Sequence, residues 1–299
     1  MSFVRINADG VGLRLHHSPQ SVWPVIQRLS RDSGPVIIMI HGFKYRPQTE
    51  HCPHNSLFSR QGWPRHLGFG ASDQNQGLGI AFGWDARATL WTARRRAAKA
   101  ALALAALIRA VRAPCARRQV HIIAHSLGTA VALDALAHLP AGAVQRIISL
   151  TGACYAAEAR AALQTPAGKT AQFFNISSRE NDLFEFLFER LVQPPTRGAR
   201  AMGRGFDCEN AVSLSLDCRE TLGFLAGKGA VIDAPDRRIS HWSSYTRRGT
   251  LGFYNQLLRT PEAWPLEQLR AGLPQPVAGR WSRILERPSV PLPSFQKTA

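Results

Sequence analysis

The chain has 299 residues, 45% of them apolar and 19% charged. That composition excludes a disordered or collagen-like polypeptide, and the length suffices to bury a core without disulfide or metal staples. The 37 Lys and Arg outnumber the 20 Asp and Glu, giving +17; the arginines are dispersed, with no run longer than 94–96, which fits a solvated surface better than a nucleic-acid groove.

Residues 3–16 read as two short strands around the turn at 8–12, and 22–30 as a short helix opened by Ser21. The run VIIMI at 36–40 lies between Gly34-Pro35 and His41-Gly42, as a strand buried on both faces does. Residues 43–78 hold Pro47, Pro53 and Pro64 and read as a long irregular loop ending in a strand at 79–83. A loop of that length inside a domain is usually functional. A helix is expected over 89–112, with Leu104, Ile108 and Val111 on one face. Strand 120–124 and helix 127–138 follow, then strands 146–150 and 172–176 around an Ala-rich helix near 156–163. Residues 182–191 read as a helix, 194–240 resist assignment, and 250–259 with 262–269 read as a closing helix pair.

Apolar strands alternating with helices predict a mostly parallel, doubly wound α/β sheet with helices on both faces and long loop insertions. We expect one domain over 1–272, with 43–78 and 194–240 as candidate lid or pocket insertions. Residues 273–299, with five prolines, read as a C-terminal tail. Five cysteines without a CxxC point away from a disulfide framework and a zinc ribbon. The first residues, MSFVRINADG, lack an apolar leader, and the apolar stretch 97–110 carries Lys99 and Arg109. A cytoplasmic protein without a transmembrane segment is the expectation.

The chemistry centres on Ala124-His125-Ser126-Leu127-Gly128. It stands between strand VHIIA and helix LGTAVALDAL, where a serine is raised on a sharp strand-to-helix turn. Small residues two before and two after the serine allow strand and helix to approach; Ala124 replaces the more usual glycine at the first position. His41-Gly42-Phe43 follows the first buried strand. The Phe43 N–H and the Leu127 N–H, just after the serine, are the expected oxyanion donors.

The ordered segments VIIMIHGF, GIAFGWD and VHIIAHSLG resemble the α/β-hydrolase fold superfamily. Within it they are most similar to poorly characterised bacterial serine-hydrolase-like proteins with an HGF…AHSLG pattern, over about 35–260. The resemblance implies a triad of serine, acid and histidine, with acid and histidine on loops after later strands. Only His241 lies beyond residue 138, so family order leaves it as the base. Asp182, after strand QFFNI, is the preferred acid; Glu180 and Glu158 are the alternatives. His125 reads as a packing or hydrogen-bonding residue and Asp85 as a cap of the following helix. His51-Cys52-Pro53-His54 lacks a nearby carboxylate for a metal site.

These readings predict a serine hydrolase cleaving an acyl bond, in the first instance a carboxylic ester. Ser126, Asp182 and His241 form the triad and Phe43 and Leu127 the oxyanion hole. The expected substrate is a small or lipid-like acyl compound, with no metal or organic cofactor and no specific nucleic acid. A non-catalytic interaction module on the same fold, and a basic membrane- or nucleic-acid-associated protein using the face of 94–112, are the competing readings.

Overall fold

The computed structural model of the protein describes residues 3–31, 33–70 and 77–274. The expected proline-rich tail, apart from its first two residues, lies outside them.

Eight strands form one sheet: β1 (Phe3–Asp9), β2 (Gly12–Leu15), β3 (Val36–Ile40), β4 (Leu78–Gly83), β5 (Val120–His125), β6 (Arg146–Leu150), β7 (Gln172–Ser177) and β8 (Ala211–Ser215). Their order is β2-β1-β4-β3-β5-β6-β7-β8. Every pairing is parallel except β1 with β2. The helices are α1 (Val22–Leu29), α2 (Trp63–His66), α3 (Leu90–Arg112), α4 (Gly128–Leu136), α5 (Ala156–Leu163), α6 (Pro166–Thr170), α7 (Asp182–Leu191), α8 (Arg219–Gly227), α9 (Ser243–Thr246), α10 (Thr250–Arg259) and α11 (Leu266–Gly272).

The continuous apolar strands serve two layers by alternation. Val36, Ile38 and Ile40 pack with α1, α3 and α4 on one face of the sheet. Ile37 and Met39 pack with α2, α10 and α11 on the other. The expected doubly wound α/β sheet is therefore present. In α3 the Thr89 hydroxyl caps the first turn, accepting the Thr92 N–H at 3.3 Å. Small residues such as Ala93, Ala97, Ala100 and Ala101 line its buried face.

Three regions differ from the sequence reading. Residues 194–240 supply the edge strand β8 and helix α8, whose Ser-interrupted strand and two glycines (Gly223, Gly227) blur both periodicities. Residues 43–78 contain α2 and bury Phe58, Trp63, Leu67 and Phe69 against the sheet. The expected helix at 262–269 is interrupted before Pro265, which stands as the N-cap of α11. Among the described residues no helix is long and apolar enough to cross a membrane.

The register sets up the site. Ile40 of β3 pairs with Ala124 of β5, so the turn after β3 and the turn after β5 emerge side by side.

Candidate active site

Ser126 sits at the turn between β5 and α4 with φ at +52°, a left-handed conformation that costs a non-glycine residue energy and persists only when the surroundings impose it. Here its N–H donates to the Leu150 carbonyl at 2.9 Å, and its own carbonyl accepts the Thr129 and Ala153 N–H groups at 3.0 Å each. Close packing completes the constraint. A β-carbon on Gly128 would stand 2.5 Å from the His41 carbonyl oxygen. The small residue two positions after the serine is thus required by the end of β3, while Ala124 is accommodated fully buried.

The His41 turn is held by Trp84. The Trp84 backbone N–H donates to His41 Nε2 at 3.0 Å, and its indole N–H donates to the His41 carbonyl at 3.0 Å. His41 Nε2 is therefore an acceptor, so the ring proton is on Nδ1, which donates to the Gly42 carbonyl at 2.9 Å. Burial lowers the His41 pKa to about 3, so the ring stays neutral and serves as a brace. Among the described residues neither the Phe43 N–H nor the Leu127 N–H has a hydrogen-bond partner.

His241 precedes α9 and is fastened to the elbow through its backbone. Its carbonyl accepts His125 Nε2–H at 3.1 Å and the Thr151 hydroxyl at 3.3 Å. The His125 and His241 rings lie 4.6 Å apart between centroids. His125 is buried, and burial lowers its pKa to about 4; it is a neutral hydrogen-bonding residue, as the sequence suggested. Phe184 stacks on His241 at 4.7 Å. Desolvation, then the neighbouring His125, holds the His241 pKa well below its ordinary value.

The group on His241 Nδ1 is not a carboxylate. It is the Asn181 side-chain oxygen, at 2.6 Å. Asp182, the acid expected from chain order, opens α7 one residue later. A short 3-10 turn, Arg179–Asn181, follows β7, and it presents Asn181 to the histidine loop. Behind Asn181 is Glu185, a buried carboxyl that accepts the Asn181 side-chain N–H at 3.2 Å. Burial raises the Glu185 pKa to about 8.

The alternative acids have structural partners. Glu180 is buried and ion-paired with Arg247, accepts the Ser178 hydroxyl at 2.9 Å and the Arg237 N–H at 3.3 Å, and its carbonyl accepts the Ser240 N–H. It ties the His241 loop to β7. Glu158 accepts the Tyr155 N–H at 3.1 Å, capping α5, and pairs with Arg94. It is an anchored cap. Asp85 does not cap α3; Thr89 does, while Asp85 pairs with Arg96 at 2.7 Å and Arg46 at 3.5 Å.

Neither Asn181, an amide, nor Glu185, within a helix, is the carboxylate beside a strand end that chain order leads one to expect. One signal was available: Glu185 is a lone acid within the apolar run LFEFLF, spaced i, i+4 from Asn181 so that the two share a face. His54 is occupied by a 2.7 Å hydrogen bond to Asn7. Among the described residues no His, Cys, Asp and Glu side chains are grouped to hold a metal ion.

Residues 20–155 match the model of a family described as "Alpha/beta hydrolase of unknown function (DUF900)". That span, under half of the chain, runs from α1 through the HGF turn and the Ser126 elbow. No curated protein matches the sequence. The sheet order, the strained serine between β5 and α4, and this match agree on the α/β-hydrolase fold.

Proposed function

We propose that the protein is a serine hydrolase that cleaves a carboxylic ester. The observation that carries the reading is Ser126 itself, held at φ +52° between β5 and α4, with the Leu127 N–H beside it, which has no hydrogen-bond partner among the described residues, and the HGF turn packed against it. Strain of this kind is retained where it serves a site.

In the proposed reaction Ser126 Oγ attacks the acyl carbon while His241 Nε2 takes its proton. The Phe43 and Leu127 N–H groups stabilise the negative charge on the former carbonyl oxygen. His241 returns the proton to the departing alkoxide, leaving an acyl-enzyme on Ser126 that water releases by the reverse sequence. Asn181 accepts Nδ1–H and so leaves Nε2 unprotonated and able to act as base. An amide stabilises the imidazolium less than a carboxylate does, and His241 is weakly basic in its half-buried setting. This favours an ester, whose alcohol leaves with less protonation than an amine. Phe184 and Trp242 around His241, with Tyr245 against His125, offer apolar walls to a small or lipid-like acyl compound.

Asn181 in the place of an acid also favours a second reading, a non-catalytic module on the same fold. One experiment separates the two. Labelling with a fluorophosphonate probe followed by peptide mapping should modify Ser126, and Ser126→Ala should abolish it. Folded wild-type protein that remains unlabelled supports the non-catalytic module. The basic face of α3 is a weaker third candidate, because Arg94 and Arg96 are ion-paired and Arg109 donates to the His138 carbonyl.

A further inference from the structure

A side-chain amide can present either its oxygen or its nitrogen to a neighbour, and for Asn181 the choice decides the chemistry of His241. With Oδ1 on Nδ1, the imidazole carries its proton on Nδ1 and leaves Nε2 free. With the amide reversed, the Asn181 N–H would donate to Nδ1, the ring proton would move to Nε2, and the histidine could not accept a proton from Ser126. His241 cannot itself choose between these arrangements, because each is a satisfied hydrogen bond.

We propose that Glu185 is a positioning residue for this site: by accepting the Asn181 Nδ2–H it holds the amide oxygen on His241 Nδ1 and keeps Nε2 unprotonated. The catalytic consequence rests on the serine-hydrolase reading; the geometry does not. The Glu185 carboxyl lies 3.2 Å from Asn181 Nδ2 and is buried in a place made for it. A β-carbon on Gly203, in the turn Met202–Arg204, would overlap the carboxyl directly, so only glycine leaves it room. The charged groups acting on Glu185 are Asp182 and Glu189 of its own helix and Arg204 of the facing turn.

A carboxylate only accepts hydrogen bonds, so an ionised Glu185 permits one orientation of Asn181. A protonated carboxyl has an O–H and tolerates both. Because the carboxyl is held up near pH 8, orientation tightens as pH rises through that range. No bond is made or broken; a proton leaves Glu185 to solvent and the preferred ring tautomer of His241 becomes more populated.

The test is the ring tautomer of His241, read from long-range proton–nitrogen spectra of histidine-labelled protein at pH 9. The wild type should show the proton on Nδ1. Glu185→Ala, and Gly203→Ala, which displaces the carboxyl without removing it, should populate the Nε2–H form. In ester hydrolysis Glu185→Ala should lose up to roughly ten-thousand-fold in kcat, the loss when a triad histidine is held in the wrong tautomer, with KM unchanged. Glu185→Gln should keep the shape of the site and remove the rise in rate near pH 8. Should Glu185→Ala fail to fold, the Gly203→Ala spectrum and the Glu185→Gln pH profile decide. A wild-type tautomer in folded Gly203→Ala together with an unchanged pH profile in Glu185→Gln overturns the proposal. If the tautomer responds but the wild type neither hydrolyses esters nor labels at Ser126, the hydrolase reading fails and the positioning role stands.

Discussion

A β-carbon placed on Gly42 would stand 2.7 Å from that of Ser126 and 2.9 Å from the His125 carbonyl oxygen. The turn after β3 and the elbow after β5 are therefore one packed unit, and the glycines at 42 and 128 are where the two segments touch. Added bulk at such a contact has no void to enter. Gly128→Val should destabilise the fold by about 1–3 kcal/mol through overpacking, and Gly42→Ala should also lower the melting temperature. Thermal unfolding of the two variants checks this; unchanged melting temperatures would mean that the turns do not abut.

The His241 loop should depend on Glu180 for its position. Glu180 and Arg247 form a buried ion pair, and Arg247 also donates to the Leu216 carbonyl at 2.6 Å. Removing one partner leaves the other charge buried without compensation. Glu180→Ala should cost about 3–5 kcal/mol, measured by denaturant unfolding. A loss below 1 kcal/mol would show that water reaches Arg247.

The strands that build the site were legible because each is short, apolar and bounded by a breaker: VIIMI by Gly34-Pro35 and His41-Gly42, and RIISL by the turn at 141–145. Both occur at the bounds expected. The elbow was legible because the small residues flanking the serine stand between a buried strand and a helix, a context that the five-residue pattern alone does not supply. The partner of His241 was not. A carboxylate reading passes over Asn181, and one residue of 3-10 turn decides whether 181 or 182 faces the histidine. Trp84 was likewise unpredictable as a brace for His41, since β4 and β3 become neighbours only in the assembled sheet.

Four buried histidines should make the protein acid-labile. His41, His54, His121 and His125 have pKa values lowered from 6.5 to about 3, 2, 3 and 4, chiefly by burial. Below pH 6.5 an unfolded chain takes up these protons and the native chain does not. Their contribution is thus fully present above 6.5 and lost as pH falls toward the folded values. Glu185 acts in the opposite sense: raised from 4.5 to about 8, it favours the native state at low pH, and this contribution is lost as pH rises through 8. Four groups outweigh one, so the denaturation midpoint should fall steeply from pH 6.5 to 4. Both ring nitrogens of His121 are buried without a hydrogen-bond partner among the described residues, so His121→Leu should flatten that fall and stabilise the protein by about 1 kcal/mol. A midpoint independent of pH across this range would mean that these rings are not kept neutral.

Kinetics should distinguish Asn181 from its two acidic competitors. Asp182 is the first residue of α7, where negative charge favours the helix N-terminus by about 0.3–1 kcal/mol. Asp182→Asn should therefore cost a little stability and leave turnover nearly intact. Glu158→Gln should weaken the cap of α5 and its pairing with Arg94, by about 1 kcal/mol, with no change in ester hydrolysis. Asn181→Ala removes the acceptor from His241 Nδ1 and should lower kcat by orders of magnitude while KM stays constant, because the imidazole loses the partner that sets its proton. The informative variant is Asn181→Asp. A carboxylate at 181 cannot be reversed, so it holds Nδ1–H without help from Glu185, and it stabilises the imidazolium as it forms. It also faces the buried Glu185 carboxyl, which stays protonated and can donate to it. Turnover at or above wild type is expected, with the pH at half-maximal rate moved upward because the added charge raises the His241 pKa. If instead Asp182→Asn abolishes hydrolysis and Asn181→Ala does not, the histidine turns to Asp182 during the reaction and the resting hydrogen bond to Asn181 is only a parking position.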